Sequence, residues 1–408
     1  MTLESDQPLW KMVLALMMAR AFAMFFTGSF GPLTPFLVAE FDLTESQIGL
    51  CSSAIYAGAL LCVLPAGRYM DTRNVRGPLT AGILMVPVML LALSRTGSLA
   101  LMVLVFFLSG IPRSLILPAT EKAVAQIFTG AGRASAMGVT HSGPPLVGSL
   151  LSVILPAFAV AFSWRTGVGT VALVLIPLAL WLRMVLGKIG LENDTDQKPD
   201  QDMGHFLRNP DLVLPGLICA ILQSGHIILL TFFALYVSQG LALSPVDAGI
   251  YLGTAQMVAV AARPLGGVAS DRLFGGRREL PLALMGLTGA ACFALLGLLP
   301  EHPPRIILTL VSAVLGATII SARPLVSTFA IERAGLADAA KVSSVLLITT
   351  WVPFIAVPPL FGYAVTAAGS WTGPWIAAAC FIGLSAVLPF LQPRRKRGGT
   401  PARDRPST

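Results

Sequence analysis

Charge is what this sequence has least of. Of its 408 residues only 12% are Asp, Glu, Lys or Arg, against 55% apolar, where a soluble globular chain carries about 25% charged residues. Mean hydropathy is +0.78. This balance excludes a disordered chain, a collagen-like repeat and an ordinary soluble enzyme. Cysteine is scarce as well. Cys51, Cys62, Cys219, Cys292 and Cys380 all sit inside apolar runs without C-x-x-C spacing, so neither a disulfide scaffold nor a thiolate metal site is expected. Catalytic signatures are missing: there is no H-E-x-x-H, no G-x-S-x-G, no mid-span Asp pair and no phosphate-binding P-loop. A membrane-embedded enzyme and an ATP-driven pump are therefore not expected, and no catalytic residue, metal or cofactor is assigned. The first ten residues, Met1 to Trp10, lack a basic leader region, so the first span should remain as an anchor.

Twelve apolar runs are present, from 11–37 to 373–391, each near the roughly 20 residues that cross a bilayer as a helix. Gly and Pro occur inside most of them, which membrane helices tolerate because neighbours satisfy the freed backbone groups. The residues do not alternate as barrel strands would. Basic residues set the orientation. Arg95, Arg165 and Arg305 fall on one side, Arg20, Arg113, Arg263 and Arg323 lie within spans, and the remaining 21 of the 28 fall on the side of the termini. Both termini are thus expected in the cytoplasm. The net charge of +8 is concentrated in the tail Arg394-Arg395-Lys396-Arg397 beside the last span. It predicts contact with lipid head groups, and no nucleic-acid partner.

The expected organisation is an all-α membrane protein: a six-helix bundle over 1–187, a cytoplasmic linker over 188–211, a second six-helix bundle over 212–391 and a basic tail over 392–408. The two halves share features at similar offsets. Gly67-x3-Asp71 recurs as Gly267-x3-Asp271, 200 residues on. Arg113-Ser-Leu recurs as Arg323-Pro-Leu after 210, and Pro144-Pro145-Leu-Val-Gly148 as Pro358-Pro359-Leu-Phe-Gly362 after 214. A duplicated six-span unit suits alternating access, in which two bundles rock around one central site.

The chemistry is expected at the four in-span arginines. An ionised side chain at mid-helix costs about 2.5–3.5 kcal/mol on insertion scales and normally faces a cavity or the bundle interior. Arg20, Arg113, Arg263 and Arg323 each lie eight or nine residues from a charged residue at a cytoplasmic end, so helical rise puts them at a common depth of about 12–14 Å. No Asp or Glu is expected at that depth. The unmatched positive charge calls for an anion from outside, and Arg can hold a carboxylate by two parallel hydrogen bonds. Gln256 is seven residues before Arg263, Gln223 three before His226, and His141 lies in the fifth span. All four join the arginines as candidate substrate contacts. His141, His226 and Glu121 are candidates for proton coupling, because a histidine or in-span carboxylate can titrate along the path. Tyr56 and Trp351 could pack on a substrate ring.

The loop sequence Gly67-Arg68-Tyr69-Met70-Asp71-Thr72-Arg73-Asn74-Val75-Arg76 and its second copy Gly267-Val268-Ala269-Ser270-Asp271-Arg272 resemble the signature of the major facilitator superfamily. The resemblance implies a twelve-helix transporter with Asp71, Arg76, Asp271 and Arg272 as cytoplasmic gate residues. The Glu121-Lys122 and Glu332-Arg333 pairs read as further gate elements. Ala262-Arg263-Pro264-Leu265-Gly266-Gly267 is similar to anion-carrying branches, the nitrate/nitrite and oxalate/formate porters, which implies an anion at Arg263. The second-span Arg of the former (Val63 stands there) and the eleventh-span Lys of the latter are missing. Gly138-Val-Thr-His-Ser-Gly143-Pro144 resembles part of a drug exporters' antiporter motif.

The expectation is a secondary transporter of a small organic anion, a carboxylate first, driven by protons or by anion exchange. It should work as a monomer in a bacterial inner membrane. The competing reading is a proton-driven exporter of amphipathic compounds.

Overall fold

The structure, a computed structural model, describes residues 8–72, 74–128, 130–187, 210–334 and 339–391. Asp71 and the tail arginines lie outside the residues whose side chains it describes. Among the described residues there are only helices and their connections: α1 Leu9–Phe41, α2 Glu45–Thr72, α3 Arg76–Ser94, α4 Leu99–Ile127, α5 Gly130–Ala161 and α6 Trp164–Gly187 in the first bundle. The second holds α7 Pro210–Gln239, α8 Pro245–Arg272, α9 Glu279–Leu298, α10 Arg305–Leu315, α11 Arg323–Ala334, α12 Ala339–Ala368 and α13 Thr372–Val387.

Local signals fix the helix starts. Ser98 caps α4 by accepting from the Leu101 N–H, and Ser244 caps α8 by accepting from Asp247 N–H, with Pro245 in the first turn. Once started, apolar runs with every backbone bond internal extend through a bilayer. Eleven helices, with α10 and α11 taken as one, are long and apolar enough to cross. α8 is the exception. Its 28 residues would reach about 42 Å, but Gln256, Arg263, Asp271 and Arg272 dilute its apolar character. Exposed Leu173, Val174, Leu180 and Trp181 on α6 mark a face suited to lipid.

The tenth span is not one helix. A π-turn, Gly316–Ile320, follows α10, and Ser321 and Ala322 separate it from α11. The continuous helix expected over 305–331 is thus broken where Arg323 enters the bundle. Pro324, which has no N–H to give Ile320, favours the break.

The bundles meet along α1 with α7, α2 with α12 and α5 with α8. Their backbones touch at the end remote from the termini. A Cβ on Gly49 would stand 2.3 Å from the Pro358 carbonyl oxygen, and one on Gly362 2.2 Å from that of Glu45. Hydrogen bonds cross there too: Ser52 with Thr231 (2.9 Å), Ser149 to the Gly253 carbonyl (2.9 Å) and Thr366 to Glu45 (2.8 Å). At the opposite end, Gly67, Gly138, Gly266 and Gly267 have nothing among the described residues within 4 Å of a Cβ position. The bundles are shut at the remote end and parted on the side of the termini.

Candidate functional site

The fold brings the four in-span arginines together. Arg20 comes from α1, Arg113 from α4, Arg263 from α8 and Arg323 from the first residue of α11. Arg323 lies within electrostatic reach of the other three and of His141 and His226.

They do not share one depth, and one of them is paired. Arg20, 4% exposed, donates from Nη2 to Glu121 Oε1 at 2.9 Å, and from Nη1 to Thr120 Oγ1 at 3.1 Å and the Leu117 carbonyl at 3.3 Å. Arg113 instead donates from Nη1 to the Ala23 carbonyl and Thr27 Oγ1, both at 3.4 Å. α1 and α4 run antiparallel, so Arg20 sits at the level of residues 117–121, nearer the open side. Counting helical rise gives Cα heights only. Two long side chains close the remaining gap, and the expectation of four arginines without a carboxylate becomes three. Glu121 also lies 3.7 Å from His141 Nε2. With 44% and 32% of their side chains exposed, this pair faces the parted side.

Arg263 spans the seam between the bundles. Its Nη1 donates to the His141 carbonyl on α5 at 2.8 Å, and its Nη2 to the Ile320 carbonyl at 3.4 Å. Both carbonyls stand four residues before a proline, Pro145 and Pro324. Neither proline has the N–H that would close the helical bond, so each leaves an acceptor that Arg263 takes. The repeat supplies a counterpart: Pro359 frees the Ile355 carbonyl, which accepts from Ser53 Oγ at 2.5 Å. The double-proline motifs thus hand each bundle a carbonyl that the other bundle bonds.

Arg113 faces an aromatic group assembled from both bundles. Its guanidinium is 5.3 Å from the Tyr56 ring centroid, Tyr56 is edge-on to Phe354 at 4.7 Å, and Phe354 is edge-on to His226 at 5.9 Å. Trp351, one turn from Phe354, is buried. His226 Nδ1 and, one turn away, Gln223 Oε1 are buried without a partner. The Nε atoms of Arg113 and Arg263 are likewise unpartnered. Arg323, part-exposed, makes no hydrogen bond or ion pair among the described residues.

Gln256 belongs elsewhere. It is buried, donates to Ser152 Oγ at 3.0 Å and lies against Gly148. The seven-residue spacing does put it on one face with Arg263, but that face packs on α5. Phe354, Thr120 and the proline-freed carbonyls escaped the sequence reading. The spacing of each proline after its carbonyl was the available signal for the last.

The gate residues divide. Asp271 pairs through Oδ1 with Arg278 Nη1 at 2.7 Å, and Arg278 also donates to Glu332 at 2.9–3.3 Å. Arg333 donates to Glu279 at 3.1 Å. The Glu332 hydrogen bonds, then that of Asp271, raise the Arg278 guanidinium pKa above its ordinary value. This network ties the ends of α8, α9 and α11 within one bundle and does not cross to the other. The partner of Asp271 is Arg278 and not the expected Arg272, which is exposed and makes no ion pair among the described residues. In the first copy, Arg76 lies over Gly187 at the end of α6, and Lys122 donates to the Met70 carbonyl at 2.9 Å.

Known proteins give the same picture of the fold. The family profile described as Major Facilitator Superfamily matches residues 16–358. The hexuronate transporter of Bacillus subtilis (strain 168) is 26% identical over 155 residues, 38% of this chain. That match spans 37% of the relative's length. A crystal structure of a bacterial homologue of the human lysosomal transporter Spinster, inward-facing and occupied, superposes with a TM-score of 0.77 at 16% identity. It covers 94% of this chain and 96% of that one. A mutant form of the nucleoside transporter NupG superposes at 0.73 with 14% identity, covering 93% and 98%.

Proposed function

The chain belongs to the major facilitator superfamily, a family of membrane transporters rather than enzymes, and from that premise we propose that it carries a small organic anion, a carboxylate, by alternating access. The observation that supports this is the charge at the seam. Arg113, Arg263 and Arg323 converge from both bundles, and among the described residues none has a carboxylate partner. Each is part-exposed, so its missing counter-charge costs less than the several kcal/mol of a fully buried ion, and a bound carboxylate that shuts out water supplies that charge through bidentate hydrogen bonds. Tyr56, Phe354 and His226 form the wall beside it, with Gln223 near them. The hexuronate transporter's name is that of a carrier of an organic acid, and its partial match favours the same class here.

Coupling falls to the Arg20–Glu121–His141 group. A proton on Glu121 would release Arg20 toward the site, and exchange of one anion for another would leave the group unchanged. With both termini in the cytoplasm of a bacterial inner membrane, the parted side faces inward and the shut side outward. The bundles over 1–187 and 212–391 would act as one monomeric transporter joined by the 188–211 linker. The exporter reading draws on the fifth-span motif, but a site with three unpaired cations repels the cationic amphiphiles it would carry.

Thermal unfolding of the purified chain with carboxylates, inorganic anions and cationic amphiphiles tests the proposal. A carboxylate at a hundred times its dissociation constant should stabilise wild type by about 2.7 kcal/mol and stabilise Arg323→Gln less at the same concentration. Stabilisation only by cationic amphiphiles sinks the anion reading.

A further inference from the structure

The anion reading leaves its charge unspecified, and the geometry narrows it. Arg20 is matched by Glu121, so three guanidiniums remain at the site, and they are divided between the bundles. Arg113 belongs to α4. Arg263 and Arg323 belong to α8 and α11. Arg113 and Arg323 occupy corresponding positions of the repeat, 210 residues apart, and lie within electrostatic reach across the seam. No acidic side chain described in the structure stands with either. Their repulsion opposes any motion that brings the parted ends of the bundles together.

A monocarboxylate answers one bundle's cation and leaves two guanidiniums unmatched. It can bind, but the repulsion across the seam persists when the site closes and water leaves. A molecule with an anionic group at each end answers both sides. One carboxylate takes Arg113, whose Nε is unpartnered and whose Nη1 contacts are long at 3.4 Å. The other takes Arg323, which has no partner among the described residues, while Arg263, bonded to the Ile320 carbonyl three residues before it, keeps an unpartnered Nε. Such a ligand draws the bundles together by the same contacts that hold it. Gln223 Oε1, one turn from His226, is buried and unpartnered among the described residues, an acceptor for a hydroxyl or amine on the ligand.

We propose that the site takes a dianion whose two anionic groups lie at opposite ends, a dicarboxylate, bridging Arg113 of one bundle to Arg323 of the other. The inference rests on the anion reading and adds the number and placement of the charges.

The test uses matched pairs on the full chain in detergent at pH 7.5: malonate with propionate, succinate with butyrate, adipate with hexanoate, phthalate with benzoate, and sulfate. Thermal shift across a concentration series gives the apparent dissociation constants. At least one dicarboxylate should bind about tenfold or more tighter than its monocarboxylate partner. In Arg323→Gln and in Arg113→Gln that advantage should fall to about twofold or less, while the monocarboxylate is held by the arginine that remains. Circular dichroism and gel filtration report whether each variant is folded, and Lys at either position restores charge if Gln does not fold. If every monocarboxylate matches its dicarboxylate, the dianion inference is overturned and the anion reading stands. If sulfate binds tighter than all the dicarboxylates, the two-ended arrangement is overturned. If no anion shifts unfolding in wild type and Arg323→Gln behaves identically, both readings fall.

Discussion

Arg20 shows how far one residue's environment can differ from its place in the chain. Sequence spacing made it one of four equivalent cations, yet Glu121 and Thr120 hold it against α4. Because Glu121 is nearly half exposed, removing its charge should cost less than the 3–5 kcal/mol of a fully buried pair, about 1–2 kcal/mol. Glu121→Gln leaves Arg20 buried without its counter-charge, whereas Arg20→Gln with Glu121→Gln removes both charges. The double variant should therefore unfold at a higher temperature than Glu121→Gln alone, and a sum of two independent losses would contradict the pairing. The same single variant bears on coupling. If Glu121 carries the proton, Glu121→Gln in vesicles should keep substrate exchange and lose acceleration by a pH gradient; unchanged acceleration assigns coupling elsewhere. What the sequence did convey at this scale was the list of arginines, because in-span charge is rare whatever its partner. Which partner each one found depended on helix offsets that no spacing rule contains.

At the scale of elements, the apolar runs were legible because a bilayer allows few other solutions; of the linker expected over 188–211, residues 188–209 lie outside the described residues. Two helices departed from expectation, both where the site lies. α8 is too polar to qualify as a span by composition, and the tenth span breaks at Gly316–Ile320. π-turns inside helices often mark functional positions, and here the break places Arg323 at the head of the twelve-residue α11, which carries Glu332, the ion-pair partner of Arg278, toward its other end. Gly316 lets the π-turn lie directly against α8, since a Cβ there would stand 2.0 Å from the Ala255 carbonyl oxygen. Backbone cannot yield as a flexible side chain can. Gly316→Ala should destabilise the protein by about 1–3 kcal/mol through overpacking, measured by thermal unfolding. Gly266→Ala, with open space around it, should change stability by less than about 0.5 kcal/mol. Equal effects would refute the close contact of α8 and α10.

For the whole molecule, the seam decides which side is open. Its shut end rests on backbone approaching backbone at Gly49 with Pro358 and Gly362 with Glu45, and on bonds such as Ser53 to the carbonyl freed by Pro359. The parted end has no such contacts at Gly67, Gly138, Gly266 and Gly267. A transporter that alternates must hold these two arrangements within a few kcal/mol of each other, so a side chain forced into the shut seam should move the balance rather than unfold the chain. Gly49→Leu is the direct probe, because it drives α2 off Pro358 while leaving the arginines in place. A cysteine at Gly138 reports the other side, where it stands in open space. In membrane vesicles, a thiol reagent applied from the side of the termini should label Gly138→Cys readily and label it several-fold more slowly once Gly49→Leu is added. The dicarboxylate that bridges Arg113 and Arg323 should slow the same labelling by drawing the parted ends together. Equal labelling with and without Gly49→Leu would mean that the remote contacts do not hold the bundles shut, and the seam would have to be sought at Arg263 and the two proline-freed carbonyls instead.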